Sequence, residues 1–82
     1  MLFRSLERLT VVQGSPVIGK RLDEVVMPPS VRLVTILRGP VLLSTDDTLI
    51  LRVDDILILN GLQTDLTLVV SEFTNARNGK PA

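Results

Sequence analysis

Apolar residues recur at helical spacing in two stretches of the chain. The first covers residues 19–26, and one face at positions i, i+4, i+7 and i+8 collects the preceding Ile18 together with Leu22, Val25 and Val26. Pro28 and Pro29 end this stretch, because proline lacks an amide donor and disfavours helix at the residue before it. The second stretch follows Asn60-Gly61 and aligns Leu62, Leu66, Val69, Val70 and Phe73. The pattern predicts two short amphipathic helices, and a weaker spacing over residues 1–7 predicts the end of a linker helix.

Other stretches have the β-branched and apolar content of strands. They are residues 9–12, 31–38, 41–43 and 55–59, while residues 49–53 read as strand or extended loop. Residues 31–38 and 55–59 are apolar on both faces, which is typical of central strands. The tight turn at Gly39-Pro40 predicts a hairpin between residues 31–38 and 41–43.

This order of elements predicts an α+β fold, with a small, mainly antiparallel sheet of about four strands and two amphipathic helices. Two short helices cannot cover both faces of such a sheet. The strands around Val34, Ile36 and Ile58 are nevertheless apolar on both sides. We therefore expect a second copy of the chain to provide the missing cover, as a homodimer.

Composition narrows the range of partners. The 82 residues are enough for one domain with one core. Nine Lys plus Arg balance nine Asp plus Glu, and neither sign forms a run that would track phosphates or anionic lipid. Phe3 and Phe73 are the only aromatic residues, so base stacking has no platform and nucleic acid is not an expected partner. The longest apolar stretches are too short for direct membrane insertion.

Residue types also argue against catalysis. The chain has no His and no Cys, which excludes the usual nucleophile pairs and an imidazole metal site, and the missing cysteine fits a reducing cytosol. The pairs Asp46-Asp47 and Asp54-Asp55 lack the ligand ladder of a calcium loop and read as solvated turns, with metal binding as the alternative. We expect no enzyme, no cofactor and no metal. Arg32 and Arg38 either reach solvent or pair with an Asp, or contact an anion at a dimer groove.

One motif resembles a phosphate-binding loop. The segment 14–20 matches the first seven positions of G-x-x-x-x-G-K-[ST]. The eighth position is Arg21, so the hydroxyl that would hold magnesium is missing, and Pro16 removes a backbone donor. A structural turn is the favoured interpretation.

Taken together, several segments resemble the TrkA-C domain, also called the RCK C-terminal domain. They are residues 14–22, 31–38, 47–49 and 54–61, which follow in order the family patterns "GSPLVGKTL", "V.AI.R.G", "DTVL" and "GD.L.V.G". The resemblance covers roughly residues 9–73. In this comparison Val53 stands where the family has the glycine before its aspartate.

The resemblance implies a cytoplasmic, dimerising, ligand-sensing domain that gates the membrane part of a potassium transporter or channel. Regulation of an anion or amino-acid transporter or other antiporter, or a structural adaptor without ligand, is the alternative. It implies a linker over residues 1–8, the regulatory domain over 9–74 and a flexible tail over 75–82. The partners that the resemblance implies are a second copy, a transporter or channel subunit expected in the same polypeptide, and a small molecule or ion.

The resemblance also directs attention to the connection between the first predicted helix and the second strand. The candidate ligand-binding or dimer-interface residues are Met27, Pro28, Pro29, Val31, Arg32 and Arg38. Family members that bind cyclic di-AMP carry Arg and Asn in this connection, where the present chain has Met and Pro. Arg32 lies close enough to keep that ligand open.

Overall fold

A computed structural model describes residues 4–74 of the chain. Its elements are strands β1 (Arg4–Thr10), β2 (Arg32–Arg38), β3 (Val41–Leu43) and β4 (Ile56–Leu62), then helix α1 (Gln63–Thr74). The four strands form one sheet in the order β1-β4-β2-β3, and every neighbouring pair is antiparallel. The predicted α+β class with an antiparallel four-stranded sheet is confirmed.

One face of the sheet carries the core. Register places Leu9 of β1 opposite Leu57 of β4, and Leu57 opposite Ile36 of β2, and all three side chains are buried. Helix α1 packs on this face with the spacing that the sequence predicts, burying Leu66, Val69 and Phe73. The loops between the strands complete the cover with Val11, Val17, Val31 and Leu51. This covered face therefore holds the apolar contacts that stabilise the domain.

The first predicted amphipathic helix is wrong. Residues 19–26 contain only a single 3-10 turn, Leu22–Glu24. The backbone of this stretch is bonded to the loop before β4 instead: the Gly19 amide donates to Leu51 O at 2.9 Å, and the Leu22 amide donates to Leu49 O at 2.9 Å. Gly19 also has a φ of 85°, which a right-handed helix does not allow. Tertiary hydrogen bonds thus replace the i to i−4 bonds that the apolar spacing suggested.

The start of the chain also differs from expectation. Residues 4–7, predicted as part of a linker helix, begin strand β1, which runs to Thr10 instead of covering residues 9–12. Pairing with β4 along all seven residues decides this conformation, since an isolated apolar turn has little helical stability of its own. Residues 1–3 and the predicted tail 75–82 lie outside the described residues.

The hairpin at Gly39-Pro40 is confirmed, whereas β4 is longer than predicted. Gly39 adopts a φ of 60° between β2 and β3. Strand β4 continues through Asn60 and Gly61, which the sequence suggested as its end, and helix α1 begins directly after Leu62. Gly61 is required there for space: a Cβ on it would lie 3.0 Å from Val31 Cγ2 and 3.2 Å from the Ser30 carbonyl oxygen.

Because part of this contact is backbone, Gly61→Ala must displace the segment that enters β2. We expect it to lower the free energy of unfolding by about 1–3 kcal/mol, the usual cost of overpacking. Urea denaturation of this variant beside Ser44→Ala, an exposed loop position, measures the effect. Equal midpoints for the two variants would contradict the close approach.

Candidate functional site

Residues 25–30 cross from the 3-10 turn to β2 beside helix α1. A turn closes this segment, with the Val31 amide donating to Pro28 O at 2.9 Å. The Ser30 hydroxyl donates to Asp65 Oδ2 at 2.8 Å and accepts from the Leu62 amide at 3.3 Å. Ser30 thereby fixes the segment to the first turn of α1. The two prolines restrict the backbone between these anchors.

A groove of about 380 Å³ lies between this segment and α1. We call it the α1 groove, and it is lined by Val26, Met27, Pro28, Pro29, Leu68, Val69, Glu72 and Phe73. Its lining is apolar apart from Glu72. Two side chains on its walls stand far out of the protein surface: Val26 is 88% exposed and Leu68 is 59% exposed. Exposed apolar side chains gathered around a concave apolar surface mark a binding surface.

Charged groups of both signs lie at the margin of the groove. A smaller hollow of about 180 Å³ continues from it and shares Val26, Glu72 and Phe73. Lys20 and Glu24 line that hollow as well. All three charged residues are exposed. The surface therefore combines an apolar centre with a rim that carries one cation and two anions.

The structure brings together only half of the six predicted site residues. Met27, Pro28 and Pro29 line the α1 groove. Val31 is buried in the core, because it follows the turn into β2 and packs against Gly61. Arg32 lies on the face of the sheet opposite α1, where the register of β2 and β4 places it opposite Asn60.

Arg38 is bound to a buried aspartate. Its Nε donates to Asp55 Oδ1 and its Nη2 to Asp55 Oδ2, both at 2.8 Å, while Nη2 also donates to Ile50 O at 2.9 Å. The Asp55 residue is 1% exposed, so the expectation that Asp54-Asp55 forms a solvated turn is wrong for Asp55. The alternative that Arg38 pairs with an Asp is the one the structure supports. Arg38 is a structural residue, not part of the groove.

The pKa values of this pair follow from its surroundings. Burial acts to raise the pKa of Asp55, but the hydrogen bonds from Arg38 and from the Arg52 amide, together with the positive charges, outweigh it and lower the pKa. The hydrogen bond to Asp55 in turn raises the pKa of Arg38. Near neutral pH both groups are therefore ionised, and the positive charge of Arg38 neutralises the negative charge of Asp55.

The segment that resembles a phosphate loop is a closed structural turn. The amides of Ser15, Ile18, Gly19 and Lys20 all donate to backbone carbonyls, and the Ser15 hydroxyl donates to Phe73 O at the end of α1. A phosphate loop needs those amides directed at the ligand and a helix after the loop. Only the 3-10 turn follows here. The structural interpretation of the motif is therefore correct.

The acidic turns have ordinary structural roles. Asp46 begins a turn in which the Leu49 amide donates to Asp46 O at 2.9 Å. No cluster of three or more metal-ligating side chains occurs within residues 4–74. Asp54 has a φ of 73°, a conformation that favours glycine.

Sequence reasoning missed the contribution of α1 to the groove. Leu68 falls outside the i, i+3, i+7 set of α1 that faces the core, and it is exposed. The available signal in the sequence was an apolar residue on the outer side of a predicted amphipathic helix, where a polar residue is usual. Val26 was assigned to the buried face of a helix that does not form. Its exposure could be read only once that stretch was known to be a loop.

The sequence matches the model of a known family of domains. The sequence model of the family described as the TrkA-C domain matches residues 6–74, which is most of the chain. The chain belongs to the TrkA-C domain family, a family of regulatory domains of transport-associated proteins. No curated protein matched the chain. Within the described residues, no helix is long and apolar enough to cross a membrane.

Removal of Arg38 leaves the Asp55 carboxylate buried without its cation. We expect Arg38→Met to lower the free energy of unfolding by about 3 kcal/mol. The exposed Arg52, whose side chain makes no hydrogen bond among the described residues, provides the control Arg52→Met, with an expected change within about 0.5 kcal/mol. Similar losses in both variants would contradict a specific role of the pair.

The pair also predicts a dependence on pH. In the wild-type protein the folded pKa of Asp55 is below its unfolded value, so the stabilisation is present above about pH 4 and is lost as the pH falls through the folded pKa. In Arg38→Met, burial acts without its counter-ion and raises the pKa of Asp55, so acid relieves the penalty. The stability difference between wild type and Arg38→Met should narrow as the pH falls, first through the raised pKa of Asp55 in the variant and then below about pH 4 in the wild type. A constant difference from neutral to acid pH would contradict this.

Proposed function

We propose that the chain is a cytoplasmic, ligand-sensing and dimerising domain that regulates a potassium transporter or channel and gates the attached membrane part. The observation that carries the proposal is the apolar α1 groove, with Val26 and Leu68 exposed beside it, on a member of a family of regulatory domains. The domain has no catalytic task in this proposal. It acts through binding.

The α1 groove suits a second copy of the chain. A two-fold interface brings the same patch of both copies together, so the patch must be complementary to itself. Here the projecting Val26 and Leu68 border a hollow that can receive the same side chains of the partner. The margin supplies Lys20 as well as Glu24 and Glu72, so opposite charges can meet across the axis. We place the dimer contact on this surface.

A small molecule or ion would bind where two such grooves meet. The volume of about 380 Å³ falls within the usual range of ligand pockets, which is roughly 300–1,000 Å³. Met27 offers a side chain that adapts to different ligand shapes. A ligand that prefers one arrangement of the two copies shifts the population toward that arrangement, and this shift would be transmitted to the membrane part.

Self-association tests the proposal directly. In sedimentation equilibrium, the wild-type chain should dimerise and Leu68→Asp should weaken dimerisation by at least about tenfold, because a carboxylate would be desolvated in the interface. Ser71→Asp is the matched control, since it adds the same charge at an exposed position of α1 that does not line the groove. A monomeric wild-type chain, or equal weakening by both variants, would contradict the dimer.

A thermal-shift screen tests ligand sensing separately. Nucleotides, cyclic dinucleotides and divalent cations are the first set, since a ligand of the folded state raises the melting temperature by mass action. The expected result is stabilisation by one class, reduced in Met27→Asp. A dimer that responds to no ligand would leave the structural adaptor as the function of the domain.

A further inference from the structure

The sheet has a second face that nothing covers within residues 4–74. Every second residue of β1, β3 and β4 lies on it, whereas in β2 the register with β4 shifts between Leu33 and Thr35, where Val34 is exposed. We call it the open face, and it consists of Arg4, Leu6, Arg8, Thr10, Arg32, Thr35, Leu37, Leu42, Ile56, Ile58, Asn60 and Leu62. Its apolar members include the two strongly exposed leucines Leu6 (66%) and Leu42 (67%).

The charges of the open face all have one sign. It carries Arg4, Arg8 and Arg32, and it carries no carboxylate. Arg4 and Arg8 lie four residues apart on β1 with Glu7 between them, and Arg32 lies on β2, which is why the sequence shows no basic run. Antiparallel pairing with β4 brings them together around Asn60: Arg32 lies opposite Asn60, and Arg8 lies opposite Ile58, the next residue of this face along β4. The nine carboxylates of the chain lie on the covered side and its loops.

No acidic side chain neutralises these arginines. The two salt bridges found within residues 4–74 belong to Arg21 and Arg38. Arg4 is held by neutral partners, donating to Asn60 Oδ1 and to Ser30 O at 2.7 Å each. Arg8 and Arg32 are exposed. The open face is therefore a positively charged surface in a chain of zero net charge.

The shape of the open face does not suit a small ligand. The four hollows described for residues 4–74 are lined by loop residues, by α1, and by residues of β2 and β3 outside the open face. The face is a sheet surface about 20 Å across in each direction, as expected for four strands of up to seven residues. Its exposed leucines are spread over that surface instead of gathering in a pocket.

A second copy, which the two-sided apolar strands led us to expect on this face, is also a poor occupant. Any two-fold axis that stacked two open faces would place three arginines from each copy in an interface without a carboxylate from either face. Nucleic acid fits less well than lipid, because the residues between the arginines are aliphatic and offer no ring for base stacking. The occupant that remains is an extended anionic surface that also accepts aliphatic side chains.

We propose that the open face binds the surface of an anionic lipid membrane. Arg8 and Arg32, with Arg4 beside them, contact phosphate and other anionic groups of the lipid heads. Leu6 and Leu42 enter the boundary between head groups and acyl chains, where aliphatic side chains are favoured. The contact is peripheral, and it leaves the α1 groove on the other side of the sheet free. This inference does not depend on the proposed regulatory function.

Vesicle co-sedimentation of the full 82-residue chain tests the inference. Vesicles of phosphatidylcholine alone are compared with vesicles that contain phosphatidylglycerol, at low and at physiological salt. The chain should bind the anionic vesicles, and more weakly at the higher salt. Arg8→Gln and Arg32→Gln should each lower the partition coefficient about fivefold, the effect of one basic residue near a charged membrane. Absence of binding to anionic vesicles would overturn the inference.

Two controls separate lipid binding from its alternatives. Arg52→Gln removes the same charge from the covered side and should change partition less than twofold, whereas a loss equal to that of Arg8→Gln would show an effect of net charge alone and overturn the inference. Leu6→Ser/Leu42→Ser, with its fold checked by circular dichroism, should also weaken vesicle binding. If the wild-type chain bound an acidic peptide or an oligonucleotide, and the double variant kept its vesicle binding unchanged, the inference would likewise be overturned.

Discussion

The ion pair between Arg38 and Asp55 is the constraint on which the cover of the sheet depends. Arg38 ends β2, Asp55 precedes β4, and the same guanidinium also holds the carbonyl of Ile50. The backbone of Asp55 accepts the Val11 amide at 2.8 Å, and Asp54 donates back to Val11 at 2.7 Å. One buried pair thus fixes the loop after β1 and the loop before β4 on the same side of the sheet. Since the Asp55 carboxylate cannot be left in the core without its cation, the pair favours this arrangement of the loops over others.

The packing of α1 and the loops on one side of the sheet determines both binding surfaces, the α1 groove and the open face. The loops and α1 enclose a single core, and the segment 25–30 closes against α1 incompletely, which leaves the α1 groove. The opposite face receives no element within residues 4–74, so its side chains meet solvent or a partner. The sheet separates the charges as well: the carboxylates lie on the covered side, in β1, in α1 and in the loops, and three arginines lie on the open face. A chain with zero net charge therefore presents two surfaces of different chemistry.

Much of the fold could be predicted from the chain alone, and the failures have physical causes. The hairpin at Gly39-Pro40 and the helix from Gln63 depend on local turn chemistry and on an apolar spacing that sequence displays directly. The stretch 19–26 has the same apolar spacing, but the amides of Gly19 and Leu22 donate to the carbonyls of Leu51 and Leu49. No local sequence pattern reveals hydrogen bonds between residues so far apart in the chain. For the candidate site, Met27, Pro28 and Pro29 were predictable. Arg32 is separated from them by the register of β2, and Arg38 by its ion pair with Asp55 in the loop before β4.

The central claim is that the domain pairs through the α1 groove and keeps the open face free. Dilution of the isotopically labelled chain, followed by amide and methyl NMR chemical shifts, tests this most directly. The account predicts shifts that change with concentration at Val26, Met27 and Leu68, and constant shifts at Leu6, Arg8 and Ile58. Concentration-dependent shifts on the open face, with none at the groove, would contradict it.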